Sequence, residues 1–92
     1  MHMANNYNGR ANGEIDYRIV EQIGVIETQP NGWNKELNIV TWNGNAPKFD
    51  IREWDPEHER MSKGITLTER ETERLGALLN RRFDYSGAEA RA

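Results

Sequence analysis

No cysteine occurs in these 92 residues, so neither a disulfide nor a thiolate metal site nor a thiol nucleophile is available. Histidine is nearly absent: there are two, and one is His2, inside a Met1-His2-Met3 leader that reads as an expression remnant. A nucleophile–base pair needs a cysteine or a well-supported histidine, so the composition argues against an enzyme. No run of ten apolar residues exists and the mean hydropathy is −0.93, which excludes a membrane-spanning helix. An apolar signal segment is missing too, so a soluble cytoplasmic protein is expected. Nor is there an excess of positive charge, since 12 Lys and Arg face 15 Asp and Glu for a net charge of −3. A generic polyanion binder would be basic, so any cation-dependent function has to come from where the cations lie. A chain of this length makes one domain that buries roughly 60–65% of its unfolded surface. Without disulfides, dimerisation is the simplest supplement to such a core.

What the chain does have is concentrated between Trp33 and Thr68, most densely in Lys48-Phe49-Asp50-Ile51-Arg52-Glu53-Trp54. Strict alternation places Phe49 and Ile51 on one face of a strand and Lys48, Asp50, Arg52 and Trp54 on the other. The first face suits a core. The second, with cations and an indole, suits a single-stranded nucleic acid, whose phosphates seek positive charge and whose bases stack on aromatic rings.

The remaining segments read in order as follows. Residues 1–13 are rich in asparagine and lack periodicity, and are expected to be disordered. Residues 14–28 are β-prone, with Gly24 marking a bulge or bend. Pro30-Asn31-Gly32 is a turn, and residues 33–42 form a second strand with Leu37 and Ile39 opposite Asn38, Val40 and Trp42. Asn43-Gly44 tolerates positive φ and makes a hairpin into the third strand, residues 47–54. A fourth strand is expected over residues 60–67, with Gly64 as a possible bulge. Thr68 and Glu71 fit a capping box, and Leu75, Leu78, Leu79 and Phe83 then form an apolar helical stripe, most simply core against Phe49 and Ile51. The fold class is therefore α+β, a four-stranded antiparallel sheet followed by one C-terminal helix, with a domain over 14–84 and a flexible tail over 85–92.

Two stretches in this order, Phe49-Asp50-Ile51-Arg52-Glu53-Trp54 and Lys63-Gly64-Ile65-Thr66-Leu67-Thr68, resemble the C-terminal domain of the transcriptional coactivator positive cofactor four (p15). Trp33-Asn34-Lys35-Glu36-Leu37-Asn38 and Trp42-Asn43-Gly44 are similar to its short bacterial, YdbC-type branch. The resemblance covers about residues 15 to 83. It implies a curved sheet, a homodimer formed through the helices, and single-stranded DNA bound along the strands with little sequence preference. It implies a place in transcription regulation or genome maintenance, with transcription or repair machinery as further partners, and a cytoplasmic, nucleoid-associated location. By position, Arg52 matches the motif arginine that contacts the strand and Lys63 the lysine before the motif glycine.

The candidate nucleic-acid-binding residues are Lys35, Asn38, Trp42, Lys48, Arg52, Trp54 and Lys63. The candidate dimer interface is Leu75, Leu78, Leu79 and Phe83. Asp55, Glu57, His58 and Glu59 have no spacing of a closed metal site and read as a solvated loop, so neither metal nor cofactor is expected. RNA binding, or a protein-interaction module using the same aromatic and arginine surface, remains the alternative.

Overall fold

The computed structural model describes residues 7–11 and 15–83. Five strands, β1 (Tyr7–Ala11), β2 (Ile15–Thr28), β3 (Asn34–Trp42), β4 (Lys48–Trp54) and β5 (Ile65–Leu67), lie side by side in sequence order, each antiparallel to the next. The helix α1 (Glu69–Phe83) follows. The four predicted strands and the C-terminal helix are all present, and the fold is α+β. The strand β1 falls within residues 1–13, where no structure is expected from the sequence. It pairs with β2 from Tyr7↔Ile19 to Ala11↔Ile15, drawing on the open edge of β2 where its own sequence has no strand pattern. The rest of that leader and the tail 85–92 lie outside the described residues.

Turn chemistry sets the connections. Asn43 and Gly44 both have positive φ, 53° and 76°, and Asn45 N–H donates to the Trp42 carbonyl, closing a tight turn at the start of the connection 43–47 between β3 and β4. The Asn43 side chain also accepts from Asp16 N–H at 2.9 Å, tying the hairpin to the start of β2. Strands β2 and β3 slip register three times, at Ile19/Glu21, Gln22/Gly24 and Val25/Glu27. Each slip adds a bulge and bends β2. At the head of α1, Thr68 N–H donates to Glu71 Oε1 and Glu71 N–H to Thr68 Oγ1, at 2.8 and 3.0 Å, completing the predicted capping box.

Strand parity follows the alternation, but the burial of the two faces is the reverse of the sequence expectation. Cross-strand pairs Glu36↔Arg52 and Asn38↔Asp50 share one face, and Leu37↔Ile51 and Ile39↔Phe49 the other. The enclosed core, Tyr17, Ile19, Val40 and Trp54, lies on the first face, with Trp42 and Met61 against it. Phe49 and Ile51 are only half-buried. The cause is the segment 55–63, which folds back over this face in place of a long fourth strand. Met61 bridges to Trp54, the His58 ring lies 5.6 Å from the Trp54 ring, and the Tyr17 hydroxyl donates to the His58 carbonyl. The loop therefore acts as a lid. The helix, expected to complete a core on Phe49 and Ile51, approaches only β4 and β5 among the described elements, and none of its residues is buried.

Candidate nucleic-acid interface

Trp42, Lys48, Arg52 and Lys63 come together on the face that carries the lid. Trp42 closes β3 and Arg52 sits in the middle of β4, and the Arg52 guanidinium carbon lies 4.6 Å from the centre of the Trp42 indole. Asp50, on the same face of β4, fixes that guanidinium from the side: Arg52 Nε donates to Asp50 Oδ1 at 2.7 Å and Nη2 to Oδ2 at 2.8 Å. Fork-to-fork pairing of this kind sets orientation as well as distance. Burial raises the Asp50 carboxyl above its ordinary value, and the Arg52 guanidinium and then the Trp42 indole oppose the rise.

Two cavities meet at this stack. One, of about 360 Å³, opens toward the β3–β4 hairpin and is lined by Asn45, Ala46, Lys48 and Thr66 in addition to Trp42 and Arg52. The other, of about 430 Å³, runs under the lid and adds Trp33, Arg60, Ser62 and Lys63. Both share Ile15, Trp42 and Arg52, so together they form one groove with an aromatic–guanidinium floor and cations toward each end. Net charge conceals this arrangement, because the carboxylates lie mostly elsewhere, although Glu59 does stand at the lid end.

The other candidates are placed differently. Trp54 and Asn38 have no exposed surface. Trp54 is enclosed by Tyr17 and His58, with ring centres 5.3 and 5.6 Å away, and so offers no face to a base in this arrangement. Asn38 donates its amide to Glu36 Oε1 at 2.9 Å beneath the lid. Lys35 pairs with Glu53 on the opposite face of the sheet, away from the groove. Arg60, Thr66 and the hairpin residues Asn45 and Ala46 line the groove without appearing among the sequence candidates. Arg60 carried a signal in its charge, but its placement depends on the fold of the lid.

The expectation of a solvated loop at His58 is also corrected. His58 Nε2 lies 3.0 and 3.1 Å from the two Glu36 carboxylate oxygens, and both side chains are nearly enclosed. Burial alone would raise the Glu36 carboxyl, but the hydrogen bonds from His58 and Asn38 outweigh it and hold the group below its ordinary value. Among the described residues, no group of three or more His, Cys, Asp or Glu side chains is arranged to hold a metal ion.

Residues 30–78, more than half of the chain, match the family described as Transcriptional Coactivator p15 (PC4). The chain belongs to that family. All the groove residues named above except Ile15 fall within the PC4 match, which also spans the lid and Gly64. The chain is further similar to a protein of Treponema pallidum (strain Nichols) described as uncharacterized, with 42% identity over 72 residues that cover 78% of this chain and 85% of that one.

Proposed function

We propose that this PC4-family protein is a non-enzymatic, homodimeric binder of single-stranded DNA with little sequence preference, serving transcription regulation or genome maintenance at the nucleoid. The observation that carries the reading is the groove itself, where Trp42 and Arg52 form a floor between Lys48 at one end and Arg60 and Lys63 at the other. Bases stack on such a floor whatever their identity, while cations along the rim neutralise phosphates. Membership of a family named for transcriptional coactivation supports the same reading. Dimerisation is supported by α1, whose Leu78, Leu79 and Phe83 are each more than 40% exposed and form an apolar stripe with half-buried Leu75.

The test is fluorescence anisotropy of a labelled 20-nucleotide oligo-thymidine titrated with the protein at several salt concentrations. With three groove cations on phosphates, log Kobs should fall against log [salt] with a slope of about −2, at ~0.7 per phosphate for single strands. Competition with oligo-uridine then ranks DNA against RNA. No binding at low salt would remove the reading and leave the groove to a protein partner.

A further inference from the structure

The sequence motif invites the view that Arg52 is a phosphate clamp, but its surroundings leave it little capacity for that role. A guanidinium has five N–H donors. Nε and one Nη2 donor are taken by the two Asp50 oxygens, at 2.7 and 2.8 Å, and Nη1 faces the Ser62 carbonyl at 3.4 Å and the Met61 sulfur at 3.6 Å. Asp50 has no exposed surface, so its countercharge is neither hydrated nor displaced cheaply. A paired guanidinium and carboxylate sum to zero, so the pair displaces little of the counterion atmosphere condensed on a strand. What remains is limited: Arg52 lines both cavities, with 13% of its side chain exposed. One face of the Trp42 indole is taken by Arg52, which lies over its ring at 4.6 Å, and Tyr17 stands tilted 6.0 Å away.

We propose that Asp50 is a positioning residue that converts Arg52 from a phosphate ligand into a charge-neutral stacking plate, so that a nucleobase of the bound strand rests on the Arg52 guanidinium, backed by the Trp42 indole. This rests on the reading of the groove as a single-stranded DNA site. Guanidinium planes stack on bases much as aromatic rings do, and the ammonium of lysine has no plane to offer. Gly64 belongs to the same device. A Cβ at Gly64 would meet the Ile51 carbonyl oxygen and the Arg52 Cβ within 2.3 and 2.4 Å, so only glycine lets the backbone ahead of β5 press on the stem of the plate.

The experiment measures the salt slope and the affinity for oligo-thymidine for the wild type, Arg52→Lys, Asp50→Asn and Lys63→Ala, each first checked for folding by its thermal melt. Lys63→Ala calibrates the assay and should lower the slope by about 0.7. Arg52→Lys keeps the charge and loses the plane, so affinity should fall about tenfold with the slope unchanged. Asp50→Asn exposes an uncompensated guanidinium, and the slope should steepen by about 0.7. Arg52→Lys with wild-type affinity would overturn the proposal, as would Asp50→Asn with an unchanged slope, because either shows that the Arg52 charge already acts on phosphates. Should Arg52→Lys not fold, the slope of Asp50→Asn decides alone. Failure of the wild type to bind oligo-thymidine at all would instead remove the reading of the groove.

Discussion

Trp42 and Trp54 occupy the same face of adjacent strands, yet one borders the groove and the other is sealed beneath the lid. Their substitutions should separate function from stability. Trp42→Ala removes the indole behind Arg52 and is expected to weaken oligo-thymidine binding about tenfold or more, on the scale of the ~1–3 kcal/mol of one stacking layer, while the fold persists. Trp54→Ala should cost about 3–5 kcal/mol in urea denaturation, as large aromatic deletions from a core do. Tyr17 gives a pH signature. Burial raises its hydroxyl above the ordinary 10.0, and the carboxylates of Asp55 and Glu59 add to the rise. The unfolded chain therefore loses this proton first, and stability should decline as pH climbs past about 10. In Tyr17→Phe that decline should flatten, with a neutral-pH loss of about 1 kcal/mol from the missing bond to the His58 carbonyl. Melting temperatures between pH 8 and 11 check both statements. At this scale the sequence was informative about residue type but not about enclosure. Alternation placed Lys48, Asp50, Arg52 and Trp54 together correctly, yet which face would be covered depended on a loop with no periodicity to read.

Local signals and element boundaries agree closely where backbone chemistry dictates them. The Asn43-Gly44 hairpin, the register slip beside Gly24 and the Thr68–Glu71 capping box could all be read in advance, because each depends on residues adjacent in sequence. The stretch 60–67 was not legible in the same way. Only Ile65–Leu67 is a strand, since Asp55 Oδ1 accepts from Glu59 and Arg60 N–H at 2.8 and 2.9 Å and turns the preceding residues over the sheet. Gly64, expected as a bulge, instead marks a close approach to β4 just before β5 begins. Gly64→Ala should therefore cost about 1–3 kcal/mol through overpacking and weaken oligonucleotide binding by displacing Lys63 and Arg52. A melt and an anisotropy titration of the same preparation measure the two effects.

The whole molecule is a sheet with one covered face and a helix that buries none of its own side chains. An exposed stripe containing Leu78, Leu79 and Phe83 is costly for a chain whose buried apolar core comprises only Tyr17, Ile19, Val40 and Trp54 among the described residues. On the dimer reading, Leu79→Glu should shift the molar mass in light scattering from two chains to one and lower the melting temperature. Loss of the second groove should also reduce avidity for long oligonucleotides more than for short ones. The helix stripe itself was legible from the spacing of Leu75, Leu78, Leu79 and Phe83, whereas its failure to cover the sheet was not, because packing partners are a property of the complete fold.

The lid has one last implication. Residues 58 and 61 close the aromatic core, while residues 60, 62 and 63 wall the groove, so the single stretch 55–63 keeps the interior dry and shapes the surface a strand would meet. Fraying of that stretch would disassemble the groove long before the sheet comes apart, and a bound oligonucleotide would hold it shut. Amide hydrogens there should exchange through local opening at a lower free energy than those of β3, and oligo-thymidine should slow them selectively.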